Sequence, residues 1–242
     1  MLLKKHIPNT ITLFNLLSGS IAAILAIEGQ LQLAAALVGL AAIFDFFDGF
    51  AARLLHVKSE IGKQLDSLAD VISFGLTPAI ILFCLIRNNP QLDTFEGFAW
   101  MMPYAALLVA AFSALRLAKF NIDTRQTDSF LGLPTPANAL FIVSLALISG
   151  EGALQDAGLL SVIADNLWFQ LALIPVSCFL LTSEIPLFAM KFSSGFSFSA
   201  NRLRYIFLLI TLVALIAFKW AALPVIVIIY IILSLFWKEE KK

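Results

Sequence analysis

Apolar runs separated by short polar breaks fill this chain from end to end. The runs fall near 9–28, 31–56, 62–87, 97–119, 135–150, 167–190, 202–219 and 221–237, and the pattern predicts eight membrane-spanning helices. The second and third runs continue past their apolar portions into polar ends. No internal repeat or low-complexity tract interrupts the series, and no break has room for a soluble domain. The expected architecture is an all-α bundle of about eight transmembrane helices forming one domain over residues 1–242. The opening stretch, MLLKKHIPNTITLFNLLSGSIAAILAIEG, has the basic start and apolar run of a signal peptide. Because similar runs follow throughout, it reads as a first spanning helix.

The polar breaks carry an orientation. An even number of spans puts both termini on one side, together with Lys4, Lys5, Arg53, Lys58, Lys63, Arg116, Lys119, Arg125, Lys191, Arg202, Arg204, Lys238, Lys241 and Lys242. These are 14 of the 16 basic residues; only Arg87 and Lys219 fall on the other side. The far-side breaks are acidic instead, with Glu28, Asp93, Glu96, Glu151, Asp156 and Asp165. Positive charge accumulates on the cytoplasmic side of membrane proteins, so the termini and the turn at 54–61 are expected there.

Composition agrees. Sixty per cent of the residues are hydrophobic and 22 are Phe, whereas 13% are charged, about half the share of a soluble domain. Net charge is zero, which gives nucleic acid no electrostatic attraction. Cys84 and Cys178 lie inside apolar runs and read as packing residues, with neither a disulfide framework nor a metal site implied.

Against this background FDFFDGFAARLLHVKSEIGKQLDSLAD, residues 44–70, stands out for four acids at the inner ends of the second and third spans. Asp45 and Asp48 are three apart and share a helix face with Gly49 and Ala52, with Arg53 at its flank. Asp66 and Asp70 are four apart and share a face with Gly62, Ser73 and Thr77. Two helices joined by a short turn can aim all four carboxylates at one point. A single acid there reads as a solvated helix end or a partner for Arg53, Lys58 or Lys63; four on two matched faces call for cations. Oxygen-only ligands favour Mg²⁺ or Mn²⁺, and such a cluster suits phosphoryl or pyrophosphate chemistry, with Gly49 and Ala52 leaving room for a bulky group and Arg53 able to pair with phosphate. An ion-coupled transporter is the other class that places acids in spans. These acids cluster at one surface and leave no relay through the middle, Glu184 being the only other acid inside a late span.

The series Asp45-x2-Asp48-Gly49-x2-Ala52-Arg53-x8-Gly62-x3-Asp66-x3-Asp70 resembles the signature of the CDP-alcohol phosphotransferases at every fixed position. That resemblance implies an enzyme that cleaves a CDP-alcohol between its phosphates, releases CMP and joins the phospho-alcohol to an acceptor hydroxyl. It implies Asp45, Asp48 and Asp66 as divalent-metal ligands, Asp70 as a ligand of a second ion and as general base, and Gly49, Ala52 and Arg53 near the CDP moiety, with Ser59 a further candidate contact. Two ions per site and a homodimer are part of the same expectation. The stretches HIPNTITLFNLLSG, LDSLADVISFGLTPA, RLAKFNID and GLPTPANA are similar to those of the membrane-embedded bacterial phosphatidylserine synthases, which implies CDP-diacylglycerol and L-serine as substrates. Glycerol phosphate, inositol phosphate or choline remain alternative acceptors. Arg116, Lys119 and Asn121 are candidates for holding serine, although basic residues at an inner helix end are also what orientation requires. Pro134 and Pro136 are expected to break the chain before the fifth span, His6 and His56 to be interfacial, Asn15 to face the site, and Asn9 to cap the first helix.

Overall fold

The structure, a computed structural model, describes residues 2–57, 59–123, 129–149, 158–188 and 198–236. Helix α1, Leu2–Ile27, turns at Gly29 (φ +84°) into α2, Leu31–Leu54. The two lie closely side by side because their facing residues are small: Ala22, Ala26, Ala34, Ala35, Val38 and Ala41 are all buried. The chain then reverses through His56, at φ 51°, with Val57 N–H bonded to Ala52 O at 3.0 Å. This six-residue closure satisfies a carbonyl at the end of α2. Ser59 caps the next helix, its Oγ accepting from Gly62 N–H at 3.1 Å.

That helix runs unbroken from Glu60 to Arg87 but not as one α-helix. It comprises α3, Glu60–Asp70, a widened π turn, Val71–Leu76, and α4, Thr77–Arg87. Pro78, at the start of α4, has no N–H to give the turn before it, and its ring crowds the carbonyl four residues back. A turn wound one residue wider relieves that clash. Of this helix's most apolar window 72% is buried, against 28–33% for the other three long helices, so it is the centre of the bundle. Phe74, Ile81, Leu82 and Ile86 form its core.

A 3₁₀ segment, Gly97–Ala106, leads into α5, Leu107–Ile122. Helix α6, Thr135–Ile148, begins after Pro134 with Pro136 in its first turn, as the prolines predict. A short α7, Leu159–Ala164, precedes α8, Leu167–Thr182. The final pair is α9, Phe198–Phe218, and α10, Ala222–Phe236.

Two expectations need correction. The first helix starts at Leu2 and contains Pro8 and Asn9, so Asn9 is not its cap. The run at 167–190 is not one helix: α8 stops at Thr182, where Ser183 turns extended, and Pro186–Phe188 (β2) pairs antiparallel with Ser129–Leu131 (β1). Pro186, which cannot donate to a helix ladder, marks the change. Among the described residues, four helices are long and apolar enough to cross a membrane: His6–Ile27, Leu31–Leu54, Glu60–Arg87 and Gly97–Ile122. Thr135–Ile148, Leu167–Thr182, Tyr205–Phe218 and Ala222–Leu235 are shorter apolar helices. Large side chains on the outer faces are left exposed, Phe46, Phe47 and Ile24 among them, as a lipid-facing surface requires. Lys58, at the middle of the expected cytoplasmic turn, and Arg125, Glu151, Asp156 and Lys191 lie outside the described residues.

Candidate active site

The packing of α1 against α2 and α3 brings the four acids together. Carboxylate oxygens of Asp45, Asp48 and Asp66 lie within 4.8 Å of one another, and these three residues can hold a divalent metal ion. Asp70 reaches the same cluster through side-chain contact with Asp45. Asp48 and Asp70 are buried, Asp45 and Asp66 half-buried. Two ionised carboxylates 4.8 Å apart repel by about 3–4 kcal/mol in a medium of intermediate dielectric. Helix packing holds them there against that repulsion, and a hard cation is what offsets it. All-oxygen donors of this kind match Mg²⁺ or Mn²⁺.

Helix α1 supplies the orienting hydrogen bonds. Thr12 Oγ1 donates to Asp48 Oδ2 at 2.6 Å, and Asn15 Nδ2 donates to Asp70 Oδ1 at 3.3 Å. Asn15 O in turn accepts from Ser73 Oγ at 3.0 Å. Thr77 Oγ1 lies 2.9 Å from both Gly19 O and Ile72 O, so it binds α1 to the π turn. Gly19 makes this approach possible: a Cβ there would fall 2.6 Å from Ser73 Cα. Asn15 therefore faces the site as its sequence position predicts. Thr12 was not singled out, yet a signal existed: Asn9, Thr12, Asn15 and Ser18 recur every third residue along an otherwise apolar helix.

Beside the acids opens a cavity of about 390 Å³ between α1 and the α2–α3 turn, lined by Asp48, Gly49, Ala52, Ser59, Gly62 and Asp66 among others. A Cβ on Gly49 would meet nothing nearer than Arg53 Nη1, at 3.7 Å. Packing does not require glycine there, whereas close approach of a bulky ligand would. Arg53 is exposed at the rim above Gly49. Ser59 Oγ is engaged as an acceptor by the cap of α3, which leaves its proton for a ligand. Lys63 also lines the cavity, but its Nζ is committed to Asn121 O at 3.0 Å.

The three residues assigned to serine divide. Arg116 and Lys119 line a second, smaller cavity at the C-terminal end of α5. Arg116 is 7% exposed, so it is no surface anchor; its Nε has no partner, and its guanidinium lies 5.8 Å from the Phe120 ring centre and within electrostatic range of Asp70. Asn121 turns the other way and donates to Ser67 Oγ at 2.7 Å, tying α5 to α3.

Residues 5–182, well over half of the chain, match the sequence profile described as CDP-alcohol phosphatidyltransferase. The chain belongs to that family. The matched segment contains all four acids, both cavities' helices up to the end of α8, and Arg116. Among relatives within this family, the CDP-diacylglycerol–serine O-phosphatidyltransferase of Mycobacterium tuberculosis strain H37Rv is 31% identical over 191 residues, covering 75% of this chain and 60% of the relative. The protein of that description from Helicobacter pylori strain 26695 is 35% identical over 146 residues, 60% of this chain and 58% of the relative. The archaetidylserine synthase of Methanothermobacter thermautotrophicus is 34% identical over 154 residues, 62% of each chain. The chain thus spans about 60% of the length of the mycobacterial relatives it matches. Family membership and the long apolar helices together make this an integral membrane protein.

Proposed function

We propose that this protein transfers the phosphatidyl group of CDP-diacylglycerol to the hydroxyl of L-serine, giving phosphatidylserine and CMP. The observation that carries this reading is the convergence of the four signature acids beside an open cavity whose wall is Gly49 and Ala52. Serine as acceptor draws on the names of the relatives, and on the buried guanidinium of Arg116 near Asp70.

In this reading Asp45, Asp48, Asp66 and Asp70 hold two divalent ions. When bound, the ions neutralise the pyrophosphate oxygens and stabilise the charge that develops on departing CMP. Gly49 and Ala52 admit the cytidine phosphate to the face of α2, Arg53 pairs with its charge from the rim, and Ser59 donates to it from the turn. Arg116, with Lys119 at the cavity mouth, receives the serine carboxylate; Asn121 serves this cavity only by fixing α5 against α3. Serine's hydroxyl is a weak nucleophile until its proton is taken. Asp70 takes it, the serine oxygen bonds to the phosphorus bearing diacylglycerol, and the bond from that phosphorus to the CMP oxygen breaks. Asn15 holds Asp70 in place by its bond to Oδ1.

The acyl chains stay in the bilayer while serine and CMP exchange with the cytosol. We place the site and both termini on the cytoplasmic side of a bacterial-type inner membrane, crossed by eight helices of one domain over residues 1–242, working as a homodimer. Helices of 14 and 16 residues reach about 21–24 Å, short of the roughly 30 Å core, so α6 and α8 would cross only with their flanking residues or through a thinned bilayer.

The test is CMP release by purified protein with CDP-diacylglycerol, Mn²⁺ or Mg²⁺, and each of serine, glycerol 3-phosphate, inositol phosphate and choline. Metal-dependent release driven by serine supports the proposal. Faster release with another acceptor reassigns the acceptor, and no release with any of them removes the enzyme reading in favour of transport.

A further inference from the structure

The smaller cavity has a charge pattern that the acceptor reading does not by itself explain. It measures about 50 Å³ and is lined by Arg116 and Lys119, but equally by Asp123 and by Glu184. Among the described residues, two cations and two acids line it. A phosphate dianion needs surplus positive charge. A small zwitterion needs one charge of each sign a few ångströms apart.

Each wall is specific about which charge it accepts. On the α5 side, Arg116 is more than nine-tenths buried and its Nε has no partner, so it lacks a hydrogen-bond acceptor there. On the other side stands the C-terminal turn of α8, with Leu181, Thr182 and Ser183. The negative end of a helix dipole favours a cation. The hydroxyl protons on that turn are already committed: Thr182 Oγ1 donates to Cys178 O at 2.9 Å and Ser183 Oγ to Leu180 O at 3.1 Å. Their oxygens therefore present lone pairs, which suit an N–H donor. Glu184 follows directly from this turn. The volume holds on the order of three or four water-sized groups, which fits the polar head of a small amino acid and not a sugar ring.

We propose that this cavity is a subsite for the zwitterionic head of a small hydroxy amino acid, with Arg116 on its carboxylate and Glu184, with the end of α8, on its ammonium. The inference rests on the serine reading above and adds the residue that recognises the amine. Glu184 lies two residues beyond the segment matched to the family, so on this proposal the short link between α8 and β2 contributes to acceptor choice.

The experiment uses the full chain in CDP-diacylglycerol vesicles with Mn²⁺, and compares Glu184→Gln and Glu184→Asp with the unaltered protein. Loss of one charge-assisted bond to ammonium raises the serine KM about ten- to hundred-fold. The KM for CDP-diacylglycerol and the kcat at saturating serine stay within about threefold, and Glu184→Asp recovers most of the lost affinity. Glu184 is exposed on the protein's side of the cavity, so its replacement leaves no buried charge unpaired. An unchanged serine KM in Glu184→Gln overturns the subsite. So does a parallel loss in all three constants that Glu184→Asp does not restore, the mark of a merely structural role. An unaltered protein without serine-dependent CMP release removes the serine reading and the subsite together, whereas release that Glu184→Gln leaves untouched removes the subsite alone.

Discussion

Thr12→Val tests whether α1 is part of the metal site or only its neighbour. Valine has nearly the shape of threonine, so packing between α1 and α2 is kept and only the hydroxyl is lost. Thr12 Oγ1 sits 2.6 Å from Asp48 Oδ2 and 3.1 Å from Pro8 O. Its single proton can serve one acceptor, and the shorter bond to a carboxylate is the stronger. Hydrogen bonds to charged groups contribute about 1.5–3 kcal/mol. At about 1.4 kcal/mol per decade this is a loss of roughly ten- to hundred-fold in the affinity of the cluster for its cation, the range found when partners that orient metal ligands are removed. The assay is CMP release against Mn²⁺ concentration. The half-saturating concentration should rise by that factor in Thr12→Val and stay near the original in Thr12→Ser, with most of the rate regained at high metal. A half-saturating concentration equal in all three proteins would refute the argument.

Asp70→Asn should lower turnover about 10²–10⁴-fold while metal-dependent binding of CDP-diacylglycerol persists; single-turnover rates and binding measured side by side check this. Arg116→Lys keeps the charge but loses the two-pronged donor, and should raise the serine KM with little change for CDP-diacylglycerol in steady-state kinetics. Gly19→Ala places a methyl 2.6 Å from Ser73 Cα and should destabilise the protein by about 1–3 kcal/mol, read as a lower midpoint of thermal unfolding in detergent. A cysteine at Lys58 should resist an impermeant thiol reagent applied to intact cells and react after permeabilisation; labelling from outside would reverse the orientation.

The acids were legible in the sequence because their spacing is a helical quantity. Three and four residues along α2 and α3 put pairs on one face wherever the helices go, and the short turn between them forces the faces together. Packing partners separated by dozens of residues leave no such trace. Thr12 and Asp48 are 36 residues apart, Asn15 and Asp70 are 55 apart, and neither pair has any local signature. The end of α8 was misread for a related reason. The stretch 167–190 is apolar throughout, and hydropathy does not distinguish a helix that continues from one that stops and enters a strand pair. What stops it is local, Ser183 and Pro186, but the strand it enters needs Ser129–Leu131, more than fifty residues upstream. Arg116 shows the limit of the orientation rule. A basic residue at the inner end of a helix satisfies that rule whether it faces solvent or the protein, and only burial separates the two.

The choice of donors on α1 follows from what the acids are for. A carboxylate inside a bundle can be oriented by a lysine or arginine, or by a neutral group. A cation would form an ion pair, and the metal would then have to displace it. Thr12 and Asn15 hold one oxygen each of Asp48 and Asp70 without adding charge, so the cluster keeps its full attraction for a divalent ion. The basic side chains nearest in sequence are turned aside: Lys63 to the backbone of α5, Arg53 to the rim over Gly49. The cost is repulsion among the four acids, and the fold meets it mechanically. Small residues let α1 lie against α2, Gly19 lets α1 reach the π turn, and Ser73 and Thr77 bond that turn to α1 backbone. On the proposed reading, a site held open toward cations in this way would trade some stability for affinity toward metal, and the polar residues of the first helix would belong to the chemistry as much as to the packing.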